Sequence, residues 1–157
     1  MKKLSLFIST LFILSFYSKL QAQSLQSSIY KTSAGLSVEF GDGGTIVGPA
    51  IKHYFDVHNA LQGELLFGQG STFVSAFYHY NGSVQNAKGL NYYFGAGPAL
   101  AFATGSTLFF IRPTAGLDYK ISDTPLDLSF DWRPTFYVGS GSTFIAARFG
   151  LGLRFCF

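Results

Sequence analysis

The chain has 157 residues, 48% hydrophobic and 18% aromatic but only 12% charged. Its net charge of +3 rests on Lys2, Lys3 and Lys19; beyond Ala22, eight Lys and Arg face eight Asp and Glu, so basicity gives no argument for nucleic acid or an acidic partner. The single cysteine, Cys156, excludes an internal disulfide and a lipid-anchor cysteine at a cleavage point.

Residues 1–22 read as a cleavable signal peptide: Lys2 and Lys3, an apolar run from Leu4 to Tyr17, and a Leu20-Gln21-Ala22 end that permits cleavage before Gln23. The run is shorter than the roughly 20 residues a membrane helix needs. Residues 23–157 then form one domain, with 23–30 a stub. Its length suits the smallest closed membrane barrels, in which eight strands of about 9–11 residues each suffice.

Four punctuations resemble one another: Gly41-Asp42-Gly43-Gly44-Thr45, Gly68-Gln69-Gly70-Ser71-Thr72, Ala103-Thr104-Gly105-Ser106-Thr107 and Gly139-Ser140-Gly141-Ser142-Thr143. Each suits a tight hairpin loop. Three further connections, 56–59, 81–87 and 122–125, bring the total to seven and predict strands at 31–40, 46–55, 60–67, 73–80, 88–102, 108–121, 126–138 and 144–157. An even number of strands puts both termini on one side, the periplasmic one in a secretory context, with the Gly-Ser-Thr loops outside. The longest connection, 81–87, then falls unusually on the periplasmic side.

From Leu90 onward one register is apolar and wide (Leu90, Tyr92, Phe94, then Phe109, Ile111, then Leu128, Phe130, Trp132), while the charges occupy the other among Gly, Ala, Ser and Thr. A period of two sustained over four segments means strands with one greasy and one polar face. Here the broad, aromatic face suits lipid and the small, charged face suits an interior. The fold class expected is therefore all-β: an eight-stranded antiparallel up-and-down transmembrane β-barrel, closed because hydrocarbon tolerates no open edge. Parity assigns Glu39, Lys52, Glu64, Arg112, Asp118, Lys120, Asp127, Asp131, Arg133, Arg148 and Arg154 to the lumen, with Lys120 opposite Asp127. Such charges must be paired once desolvated, and eight strands leave a bore only wide enough for side chains. Gly95 and Gly97 are expected to make room for the inward Tyr93 and for neighbouring arginines.

Four prolines fall inside predicted strands, in the repeated contexts Gly48-Pro49-Ala50 and Gly97-Pro98-Ala99, and Arg112-Pro113-Thr114 and Arg133-Pro134-Thr135. Counting from the turns sets Pro98 across from Pro113 and Pro113 across from Pro134, a seam in which one opposed pair lacks both donors. A bulge or a weak point in the wall is expected there.

The alternation Phe149, Leu151, Leu153, Phe155, Phe157 at the C-terminus and the Gly-rich segment Asn91-Tyr92-Tyr93-Phe94-Gly95-Ala96-Gly97-Pro98 resemble the OmpA/OmpX-like superfamily of small outer-membrane barrels, especially the short Bacteroidetes-type proteins. The architectural likeness covers 23–157, and its specific motif is the last strand. The resemblance implies that Phe157 and its alternating partners signal to the barrel assembly machinery. The proline seam is similar to the proline-flanked wall gaps of the outer-membrane palmitoyltransferase, which would imply lateral access of an acyl chain.

Catalytic groups do not assemble. His53, His58 and His79 are scattered, and neither His53 nor His79 is followed two residues later by serine, as a barrel deacylase would need. One cysteine and three scattered histidines offer no metal-ligand spacing, and Gly41-Asp42-Gly43-Gly44 has too few carboxylates for calcium. No cofactor is expected. The function expected is that of a non-enzymatic, monomeric, multi-pass protein of the Gram-negative outer membrane, with a structural or interaction role, salt bridges plugging its lumen, and outer-membrane lipid or lipopolysaccharide, not nucleic acid, as its partners. The alternatives are a narrow channel or lipid conduit with lateral access at the seam, and a lipid-modifying enzyme. Outer loops of about five residues argue against adhesion, because a specific interface buries about 800 Å² per partner.

Overall fold

In the computed structural model, residues 30–139, 141 and 143–157 are described. The expected signal peptide and residues 23–29 of the stub lie outside the described residues. Alternating side chains give ten strand segments: β1 (Thr32–Gly41), β2 (Ile46–Tyr54), β3 (Asn59–Gly68), β4 (Ser71–Ser83), β5 (Leu90–Ala103), β6 (Ser106–Lys120), β7 (Leu126–Trp132), β8 (Thr135–Tyr137), β9 (Phe144–Ile145) and β10 (Arg148–Cys156). β7 and β8 succeed one another in one stave of the wall, and β9 and β10 in the next. Successive staves pair antiparallel, and β1 pairs with β10 from Ser33↔Cys156 to Gly41↔Arg148, closing an eight-stranded up-and-down barrel. Both ends of the described chain lie with the connections 55–58, 84–89 and 121–125, here called the terminal end; the other four connections form the loop end.

The faces separate by polarity. Leu36, Ile51, Leu61, Phe94, Leu117, Phe130, Trp132 and Leu153 point outward and are exposed, whereas Glu39, Lys52, Arg112, Asp118, Asp131, Arg133 and Arg154 are at most 2% exposed. Exposed tyrosines Tyr78, Tyr80, Tyr92 and Tyr119 gather toward the terminal end, where ring and hydroxyl suit a boundary between hydrocarbon and water.

Turn chemistry sets the register. Gln69 and Gly70 take φ of 53° and 69°, the pair of left-handed residues that closes a two-residue hairpin. The turn between β5 and β6 is also two residues, Thr104-Gly105, because Ser106 and Thr107 continue the ladder opposite Ala103 and Phe102. A four-residue turn at 104–107 would set Pro98 across from Pro113. That opposition does not form: Pro98 faces Ile111, and Pro113 faces Ala96.

Pro49 and Pro98 each interrupt a single ladder. Pro49 stays opposite Leu36 in the β1–β2 ladder, while β2–β3 pairing lapses between Val47↔Phe67 and Ala50↔Glu64. Pro98 likewise keeps its place beside β6, and β4–β5 pairing lapses between Ser75↔Ala99 and Tyr78↔Ala96. In both Gly-Pro-Ala sequences the glycine lies against a neighbouring carbonyl, Leu65 for Gly48 and Ala76 for Gly97, where no Cβ would fit. The repeated sequence therefore builds two similar corners, one on each side of the β3–β4 hairpin. The space beside Tyr93 and Arg133 comes instead from Gly116 and Gly150, whose added Cβ atoms would strike the Tyr93 ring and the Arg133 guanidinium.

Pro113 and Pro134 do face each other, since the register is the same on both sides of them, at Ala115↔Trp132 and Ile111↔Phe136. The N–H of Arg133 donates to Arg148 O and that of Val138 to Phe109 O. Alternation then aims the nitrogen of Pro134 at β6, at a step that lacks both donors. On the opposite side of Pro134, two residues (Arg133, Pro134) face three (Ala146 to Arg148) between Phe149↔Trp132 and Thr135↔Ile145, which makes a β-bulge. Its freed carbonyls are satisfied: Ala147 O accepts from Asp42 N at 2.9 Å, and Ala146 O from the Trp132 indole at 2.6 Å.

Candidate functional site: the barrel interior

The inward charges fall into two clusters. Toward the loop end, Glu39 accepts from Arg112, Arg148 and Arg133. Arg133 also pairs with Glu64 at 2.8 Å and grips both oxygens of Asp131, a fork that only a planar guanidinium provides. Ser37 and Gln62 donate to Glu64 at 3.1 and 2.8 Å, Tyr93 to Asp131 at 2.6 Å, and Arg112 Nε to Thr135 at 3.0 Å. Phe77 lies beneath two of the guanidinium groups, with Arg112 and Arg133 Cζ 5.8 and 5.6 Å from its centroid. Three carboxylates thus meet three arginines.

Toward the terminal end, Lys52 pairs with Asp118 and donates to Asn81 at 2.9 Å, its ammonium 4.4 Å from the Tyr93 centroid and 5.1 Å from that of Tyr54. Arg154 spans Asp118 and Asp127, and Tyr30 donates to Asp127 at 2.9 Å. Two carboxylates meet two cations. Gln62 joins the clusters: its amide nitrogen donates to Glu64, and its oxygen accepts from Arg154 at 2.9 Å. Each cluster is neutral and multiply hydrogen-bonded, as burial of this much charge demands.

Lys120 is the exception among the expected lumen charges. It stands opposite Asp127 in the ladder, but its ammonium turns to the carbonyls of Ile121 and Thr124 in the adjoining turn. At the last inward position before a turn, the turn carbonyls lie closer than the axis. Asp127 is served by Arg154 and Tyr30 instead.

Sequence reasoning missed the apolar part of the interior. Phe110, Ala99 and Ala101 form a buried cluster near the loop end, with Phe73 and Tyr137 packed on it, and Ile46, Leu66 and Phe77 are also buried inward. Phe110 and Tyr137 fall in the polar register of the sequence and were the available signal. His79 is held in this interior between Phe77 and Tyr93, its Nε2 3.0 Å from Thr114 Oγ1. Among the described residues, no group of three or more His, Cys, Asp or Glu could hold a metal ion. The described residues of the four loop-end connections include no Lys or Arg, and Arg148, beside the turn after β1, is turned to Glu39 and the Asp42 carbonyl.

No family model matches the chain. No curated protein matches it either. Its fold is similar to a crystal structure of the N-terminal β-barrel domain of Pseudomonas aeruginosa OprF, with a TM-score of 0.56 and 16% identity over 80% of this chain and 98% of that one.

Proposed function

We propose that the chain is a non-enzymatic integral protein of the Gram-negative outer membrane, of the OmpA/OmpX-like kind, whose sealed barrel serves a structural or interaction role in the envelope. The observation that carries this reading is the inversion of polarity: exposed Phe, Leu and Trp side chains cover the wall while ten charged side chains lie buried inside as neutral clusters. Water as surroundings would leave that wall unfavourably solvated, and lipid would not. In this reading the clusters plug the lumen, Phe149, Leu151, Leu153, Phe155 and Phe157 present the assembly signal, and the protein is a monomer among membrane lipid and lipopolysaccharide. The absence of lysine and of a free arginine from the described loop end supports contact with lipopolysaccharide through the wall rather than through its phosphates. Membrane fractionation and single-channel recording in planar bilayers test the proposal. Recovery in the outer-membrane fraction without steady conductance is expected; steady conductance that no lumen substitution removes would sink the plug.

A second reading, lateral access of an acyl chain to the interior, is favoured by the Pro113–Pro134 step, which lacks both donors beside the apolar Phe110–Tyr137 contact. Against it stands the pairing of β6 on both sides of the step, at Ala115↔Trp132 and Ile111↔Phe136, which holds the two staves together around it. Lipid-A profiles of cells with and without the gene test the enzymatic version, which predicts a changed profile.

A further inference from the structure

Two rows of outward side chains cross four staves without interruption. Leu36, Leu153, Leu128 and Tyr119 are successive cross-strand neighbours, and so are Val38, Leu151, Phe130 and Leu117. Between the rows runs a groove of about 510 Å³, floored at Ser129 and Gly152, which face each other across the β7–β10 ladder. The rows are two residues apart, about 7 Å, and three inter-strand steps make the trough about 14 Å long. Six of its eight ridge residues are Leu or Val, on a wall otherwise rich in exposed aromatic rings. The prolines lie outside it, so its ladders are unbroken and its shape is preformed.

One end of the groove has polar company. Tyr119 ends the first row, Gly89 lies beside it with an added Cβ 3.6 Å from the ring, and the exposed Lys88 precedes Gly89. Lys120 is turned away into its own turn, and Asp123 follows in that turn, exposed. At the other end, the outward residues beyond Leu36 and Val38 are Pro49 and Val47, which carry no charge.

We propose that this groove is a binding site for one glycerophospholipid of the periplasmic leaflet, with an acyl chain between the two aliphatic rows and its phosphate at Lys88 and the Tyr119 hydroxyl. Asp123, exposed in the connection that adjoins that of Lys88 through the Lys120 N–H to Gly89 O bond, favours a head that carries an amine as well as the phosphate. The site rests on the membrane-embedded reading above, since its ridges are lipid-facing side chains. A single chain fits where a flat wall would hold none in particular, because the ridges supply contact on both sides and the rigid floor loses little freedom on binding.

The test is native mass spectrometry of the purified barrel, titrated in micelles with phosphatidylethanolamine or phosphatidylglycerol, with heat-modifiable gel mobility as the check that each variant is folded. The wild type should retain one phosphatidylethanolamine in preference to phosphatidylglycerol. Leu151→Trp, which fills the trough, and Lys88→Glu, in an exposed connection, should each bind about tenfold more weakly, a difference of roughly 1.4 kcal/mol. Leu61→Trp, on another part of the wall, should bind as the wild type does. Folded barrel that retains no lipid, or equal retention by the Leu151, Lys88 and Leu61 variants, overturns the groove and leaves the membrane reading intact. Failure to insert into micelles at all would count against the membrane reading itself.

Discussion

The two charge clusters solve the same problem with different chemistry. Toward the loop end, Arg133 touches Glu39, Glu64 and Asp131, so one planar cation organises every carboxylate of its cluster. Toward the terminal end the work is divided: Lys52 and Arg154 both hold Asp118, and Tyr30 shares Asp127 with Arg154. A hub concentrates the consequence of one loss, whereas shared ligation spreads it.

Substitution at the hub should therefore have the largest effect. Arg133→Met leaves Asp131 and Glu64 buried without their cation and is expected to cost about 3–5 kcal/mol, read as the urea midpoint of unfolding in bilayers. Arg154→Met should sit at or below the lower end of that range, about 3 kcal/mol, because Lys52 stays on Asp118 and Tyr30 on Asp127. Equal losses in the two variants would remove the distinction between hub and shared ligation. Gln62→Leu severs the link between the clusters and should cost about 1–3 kcal/mol by stranding a donor and an acceptor. In a double-mutant cycle it should also bring the joint effect of Arg133→Met and Arg154→Met closer to additive.

Outside the clusters, Pro113→Val supplies one donor to the carbonyl of Pro134 in a register already set by its neighbours, and should stabilise the barrel by about 1 kcal/mol. A loss of several degrees in Tm would mean that the proline bend itself shapes the wall. The smallest effect belongs to the exposed turn 55–58. Asp56 is held below the usual carboxylate range by the Asn59 side-chain amide and by the backbone N–H groups of His58 and Asn59. Its contribution is thus present above the unfolded pKa and lost as pH falls through the lower folded one. The His58 and Asn59 amide resonances should move only below about pH 4, and constant shifts down to pH 2 would exclude the capping role.

Much of this architecture is legible in the sequence because a strand allows a side chain only two directions. Parity alone places Glu39, Asp131 and Arg154 inside and Phe94 and Leu153 outside. Parity cannot say how far a side chain reaches along the axis, which is why Lys120, one step from a turn, was expected in the lumen and satisfies turn carbonyls instead. Register was harder still. Whether Ser106 and Thr107 belong to the turn or to the ladder depends on backbone dihedrals, and that choice moved Pro98 by two positions while leaving the Pro113–Pro134 opposition in place. The apolar interior near Phe110 was hidden for another reason: a charge is conspicuous in a polar register, whereas alanine among glycine and serine reads as filler.

Trp132 is the sole tryptophan of the chain, and its indole N–H is bonded across the bulge to Ala146. Intrinsic fluorescence therefore reports on one stitch between the seventh stave and the eighth. An emission change during refolding into vesicles would time the sealing of that stitch, separately from the circular dichroism that follows the sheet as a whole.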